Sequence, residues 1–216
     1  MADVHYNLGL LLQESPSPGR QEEALAAYQQ AISYRPRLAL AHLNLATVLT
    51  ALGRREEAKA VYRRCAALDN TAGLKDIRAH ETARIGALYN LARMQADEGD
   101  SRGAEITLEE ALRRAPAHYP GRHSLLNVLG EVRLRLGDAE AAEVAFKQAL
   151  ALKKDHIPAH LTYAKLLAAA NRTEEADALY RRALAYSEQQ RLSSNESAIV
   201  FQHYGKKRDV WRWNFG

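Results

Sequence analysis

The stretch AHLNLATVLTALGRREEAKAVYRRCAALD, residues 41–69, decides the fold. Its first part places Leu45, Ala46 and Leu49 on one apolar face of a helix. Gly53 then breaks the pattern, as a turn with positive φ requires. The second part carries Ala58, Tyr62 and Cys65, a small, large, small triad at spacings of four and three. The triad returns as Ala24, Tyr28, Ala31; as Ala104, Leu108, Ala111; as Ala142, Phe146, Ala149; and as Ala176, Tyr180, Ala183. Self-similarity at a period near 34 residues marks a helical solenoid. The small residues let helices approach closely, and the large one fills the hole between them. One such unit buries too little to stand alone, so stacking has to complete the core.

The pattern predicts repeats at about 2–37, 39–72, 85–118, 123–156 and 157–190, each a helix pair. Pro36 and Pro116 close repeats, while Gly99, Gly137 and Asn171 take the place of Gly53 at the turn. The pairs resemble tetratricopeptide repeats, so the expected fold is an all-α tetratricopeptide solenoid of about five repeats in a right-handed superhelix. Two stretches depart from the period. SPSPG, residues 15–19, holds two prolines and reads as an exposed loop. GLKDIRAHETAR, residues 73–84, reads as a partly helical insertion that either extends the next first helix or forms a side elaboration.

Composition agrees with stacked amphipathic helices: 47% apolar, 7% aromatic and 26% charged. No apolar run approaches the roughly 18 to 20 residues of a membrane span, and the first residues carry no signal-peptide pattern. A net charge of +4 raises the question of nucleic acid, but the basic residues follow helix geometry rather than forming a patch. Glu22 and Glu23, Glu56 and Glu57, and Glu174 and Glu175 open helices; Arg63 and Arg64, Arg113 and Arg114, and Arg181 and Arg182 fall later in them, as the helix dipole prefers. No nucleic-acid partner is expected. Cys65 is the only cysteine, which excludes an internal disulfide. His5, His42 and His160 recur in phase at a packing position and read as structural, with no HExxH spacing and no metal site expected. The acidic pairs do not face each other across a cleft, and no phosphate-cradling glycine loop occurs, so neither catalysis nor a cofactor is expected of this chain.

HYNLGLLLQE at residues 5–14, LKDIRAH at 74–80 and DHIPAHLTYAKLLA at 155–168 resemble the transmembrane and tetratricopeptide repeat-containing O-mannosyltransferases. The resemblance spans residues 2–186 and includes the insertion, which is no consensus feature. It implies the repeat region of an endoplasmic-reticulum protein whose membrane-embedded half, absent here, transfers mannose from a dolichol-phosphate donor. It also implies that the repeats face the lumen and recruit cadherin-like acceptors. A chain made without a targeting segment would be cytoplasmic instead. Members of that family continue with further repeats where this chain runs into SSNESAIVFQHYGKKRDVWRWNFG, residues 193–216, and the period is lost. Phe201, Tyr204, Trp211, Trp213 and Phe215 in this tail either fold back as a cap on the last repeat or stay disordered.

With no catalytic centre in prospect, function rests on the concave groove that the first helices line. Asn7, Asn44 and Asn90 recur there at one position, each followed by Leu and then Gly or Ala. A side-chain amide donates and accepts, so such a ladder can hold the backbone of an extended peptide without reading its side chains. It is similar to the ladder in the repeats of the O-GlcNAc transferase family. The other reading is polar residues on a wet surface. Tyr6, Tyr89 and Arg93 flank the ladder as apolar and charged additions, and Asn127, offset by one position, is a doubtful fourth rung. A carboxylate clamp is disfavoured, because Tyr6 and Leu10 stand where Lys and Asn are needed. Asn171 in NRT and Asn195 in NES are acceptor sequons for N-glycosylation. Three partner readings result: a lumenal recruiting arm, a free adaptor, and a scaffold without a peptide site.

Overall fold

A computed structural model of the chain describes residues 1–14, 17–72, 74 and 76–193. All regular structure in them is helical: α1 (Ala2–Gln13), α2 (Pro18–Tyr34), α3 (Ala39–Ala51), α4 (Arg55–Ala66), α5 (Ile77–Asp97), α6 (Ser101–Arg114), α7 (Arg122–Arg135), α8 (Ala139–Leu152), α9 (Ile157–Ala169) and α10 (Thr173–Ser193). They form two compact units, Met1–Tyr119 with α1 to α6 and Pro120–Gly216 with α7 to α10. In both, consecutive helices pack as pairs.

The triads build the cores. In the first unit Tyr28, Tyr62 and Leu108 are fully buried between their flanking Ala or Cys residues. In the second unit Phe146 lies between Ala142 and Ala149 and stacks on Tyr163 with ring centroids 5.9 Å apart. Gly9 shows how close the helices come: a Cβ there would sit 2.6 Å from the Tyr28 ring. The turns inside four pairs use a left-handed residue, at φ 76° for Gly53, 88° for Gly99, 85° for Gly137 and 60° for Asn171. Asp76, Asp100 and Asp138 then cap helix starts by accepting from the backbone N–H groups of Ala79, Gly103 and Ala141.

One sequence expectation changes, and an open one is decided. SPSPG is not a loop throughout, because Ser17 is the N-cap of α2 and Pro18 its first residue. Proline is well placed there: its missing N–H is one that the first turn leaves unbonded anyway. The early start puts Glu22 and Glu23 beyond the first turn. Of the two alternatives for the insertion, extension of a first helix is the one formed, since α5 starts at Ile77. The added turns dock by polar contacts: His80 Nε2 lies 2.7 Å from the Leu68 carbonyl, and Arg84 bonds the Ala66 carbonyl at the end of α4.

The phased histidines have structural roles. His42 Nε2 lies 2.9 Å from the Pro36 carbonyl, and His160 Nε2 lies 2.7 Å from that of Lys154, which places the proton on Nε2 in each. His5 is half-buried and stacks on Tyr34 at 5.4 Å. The tail aromatics and Asn195 lie outside the described residues.

Candidate functional site

The first helices of unit 1 make one layer. Gly86 of α5 lies so close to Leu43 of α3 that a Cβ would touch it at 3.4 Å, and Asn44 Nδ2 of α3 donates to Tyr6 Oη of α1 at 3.4 Å. The three ladder asparagines differ in how they use their amides. Asn7 is exposed and Asn90 half-buried, and neither side chain has a hydrogen-bond partner among the described residues. Asn44, half-buried between them, is engaged with the Tyr6 hydroxyl and stands by that of Tyr28. Tyr28 in turn donates to Gln13 Oε1 at 2.6 Å.

Tyr6 therefore belongs as much to the core as to the surface. It packs on the core cluster, its ring lies 6.0 Å from that of Tyr28, and burial raises its hydroxyl pKa. Tyr89 is half-buried one position before Asn90. The guanidinium of Arg93 lies over the Tyr89 ring, 5.8 Å from its centroid. Tyr119 is close to Tyr89, and its hydroxyl pKa is raised, first by burial and then by that neighbour.

Asn127 is corrected. It is 4% exposed, its Nδ2 donates to Glu131 Oε1 at 2.9 Å, and its Oδ1 accepts from Thr162 Oγ1 at 2.8 Å. Its offset of one position turns the side chain from the open face toward α9, so it ties α7 to α9 and is no rung. The second unit has instead a polar hub that sequence reading missed. Glu143 on α8 accepts from Lys147, Tyr163 and Arg172, each at 2.8 Å, and these partners, Lys147 first, hold its carboxyl down to about 2. Lys147 stands at i+4 from Glu143, a spacing that sequence could have revealed, but Tyr163 and Arg172 arrive from other elements.

Asn171 is exposed on its turn. Among the described residues no group of His, Cys, Asp and Glu is arranged to hold a metal, and no helix is long and apolar enough to cross a membrane.

These helix pairs and their open first-helix face define a class: an interaction module of tetratricopeptide repeats, a fold that works by binding proteins. Family models described as TPR repeat or tetratricopeptide repeat match residues 17–53, 39–71, 85–118 and 133–194, so the chain is an all-α tetratricopeptide-repeat solenoid. No curated protein matches it. Among solved structures it is similar to pilF of Pseudomonas aeruginosa, with 20% identity, a TM-score of 0.68, and coverage of 95% of this chain and 97% of that one. TTC0263, a thermophilic TPR protein of Thermus thermophilus, has 23% identity, a TM-score of 0.62, and coverage of 95% and 98%. YrrB, described as a TPR protein with an unusual peptide-binding site, has 16% identity, a TM-score of 0.60, and coverage of 95% and 92%. At these identities the likeness is one of fold.

Proposed function

We propose that unit 1 receives an extended segment of a partner polypeptide along its first-helix face and holds it through side-chain amides. The observation that carries this is the pair Asn7 and Asn90, at equivalent positions of α1 and α5, whose amides have no partner within the protein among the described residues. An amide offers both a donor and an acceptor, which matches a strand backbone whatever its side chains. The peptide-binding site ascribed to the structurally similar YrrB also supports the reading. Each neutral hydrogen bond nets about 0.5 to 1.5 kcal/mol, so three rungs fall short of the roughly 8 kcal/mol of a micromolar complex. The Tyr89 ring and the exposed edge of Tyr6 supply further contact.

The test is a titration of extended peptides against the wild type and against Asn7→Ala, Asn44→Ala, Asn90→Ala together, with folding checked by circular dichroism. Because Asn44 also serves Tyr6, the pair Asn7→Ala, Asn90→Ala is measured alongside. A loss of at least about tenfold in folded protein supports the reading; equal binding, or none by the wild type, removes it.

A finer reading rests on the three motifs shared with the O-mannosyltransferases: the chain is the lumenal arm that brings cadherin-like acceptors to the transferase. The exposure of Asn171 in its NRT sequon is compatible with lumenal life. A free-standing adaptor or scaffold accounts for the fold equally well. A glycosidase-sensitive mass shift lost in Asn171→Gln would place the expressed protein in the lumen.

A further inference from the structure

Arg93 differs from the other arginines that the structure places in bonds in unit 1. Arg54, Arg55, Arg84 and Arg114 each meet a carboxylate: Glu57, Glu98, Glu81 and Glu110 respectively. Arg93 is exposed, its guanidinium lies over the Tyr89 ring, and it has no carboxylate partner among the described residues. Asp97, one turn further along α5, is exposed and makes no ion pair with it. Across α1, α3 and α5 the only other Lys or Arg residues are Arg78, in the added turns of α5, and Arg84, which is buried. Arg93 is thus the one cation on the repeat part of this layer, three residues after the open amide of Asn90.

We propose that the bound segment presents an internal acidic side chain to Arg93. This deepens the peptide-receptor reading and rests on it. A guanidinium held over an aromatic face by a cation–π contact still has its N–H donors available to a ligand. A carboxylate takes two of those donors in one plane. An internal side chain suits the site better than a chain terminus, because one cation beside one neutral amide gives a terminal carboxylate little else to bond. Asn90 fixes the backbone, and Arg93, on the same face about one helical turn on, selects the side chain. Backbone capture without sequence preference thereby becomes capture with an acidic preference at one position.

The experiment uses the full chain and two pools of acetylated, amidated synthetic peptides, randomised except for a central residue fixed as Glu in one pool and Gln in the other. Binding is followed by fluorescence anisotropy with wild type, Arg93→Gln, Arg93→Lys and the Asn7→Ala, Asn90→Ala pair. The expected result is about threefold tighter binding of the Glu pool by wild type, in the range of an exposed ion pair. Arg93→Gln should abolish that difference, and added salt should reduce it in the wild type. Arg93→Lys should keep only part of it, because a lysine lacks the planar fork.

Equal binding of the two pools that still depends on Asn7 and Asn90 would overturn the acidic preference and leave the peptide site standing. A preference that appears only with free C-terminal carboxylates would also overturn it. Binding of neither pool, or binding indifferent to the asparagines, would remove the peptide site itself.

Discussion

Arg84 and Arg114 donate to the same acceptor, the carbonyl oxygen of Ala66, Arg84 through Nε at 3.1 Å and Nη2 at 3.0 Å and Arg114 through Nη1 at 2.7 Å. Ala66 is the last residue of α4, where unbonded carbonyls concentrate the negative end of the helix dipole. Arg84 is buried and also pairs with Glu81 at 2.7 Å, so two positive groups close one helix end against α5 and α6.

Removing either arginine leaves the other on the carbonyl; removing both orphans it. Arg84→Met should cost about 1 to 3 kcal/mol, because the buried bonds are lost, and Arg114→Met less, because its guanidinium is partly solvated. The double variant should lose more than the sum by about 0.5 to 1 kcal/mol. Urea unfolding of the four proteins measures this, and strict additivity would show that the carbonyl does not couple the two side chains.

The exposed apolar stripe on α1 gives a second test. Val4, Leu8 and Leu11 are exposed, whereas the residues at the same positions of later repeats, Ala41, Leu45 and Val48 in α3 and Ala87, Leu91 and Met94 in α5, are all buried. The difference is one of neighbours: α3 packs against both α2 and α4, and α5 against both α4 and α6, whereas α1 packs chiefly against α2. Leu45→Ala, from 6% exposure, should therefore cost about 2 to 5 kcal/mol, and Leu8→Ala, from 46%, less than about 1. Similar costs in thermal unfolding would mean that Leu8 is covered in solution.

Cys65 is buried, points its thiol at the Ala39 carbonyl at 3.3 Å, and is pushed up to about 12, chiefly by burial. A thiol of that kind supplies almost no thiolate at neutral pH. Labelling by a disulfide reagent should be complete in urea and slower by at least about a hundredfold in the native protein, following the open fraction of the chain. Fast labelling without denaturant would place Cys65 on the surface.

The fold was legible because its determinants are local and periodic: the triads fix which face of each second helix is inside, and Gly53, Gly99, Gly137 and Asn171 fix the turns. The extension of α5 was open to two readings because His80 and Arg84 are held by carbonyls across the chain rather than by an apolar pattern. The candidate site was legible only as a register of side chains. Sequence placed Asn7, Asn44 and Asn90 in one column, but it could not show that Tyr6 takes up Asn44, or that Thr162 and Glu131 consume Asn127. Tyr6 and Thr162 come from other helices, which no spacing rule announces, whereas Glu131 stands at i+4 from Asn127, a spacing that sequence does show.

The last prediction concerns pH. His156, the N-cap of α9, stands edge-on to His123 with centroids 4.5 Å apart, and its pKa is held near 4. Burial is the main cause, with His123, Lys153 and His160 opposing a further positive charge and Asp155 favouring one. His123, His160 and His42 are lowered as well, each mainly by burial. An unfolded histidine titrates near 6.5, so below that value the unfolded chain binds more protons than the folded one. The stability that these groups contribute is present above about 6.5 and is lost as pH falls toward the folded values, near 4 for His156. At pH 5 this single group should remove on the order of 1 to 2 kcal/mol. Glu143, held near 2, stays ionised through the window and does not offset the loss. Thermal unfolding at pH 7.5 and pH 5 should show a drop of several degrees in wild type and a smaller one in His156→Gln. An equal drop in both would mean that His156 is protonated in the folded state, and that the ring pair does not keep the charge out.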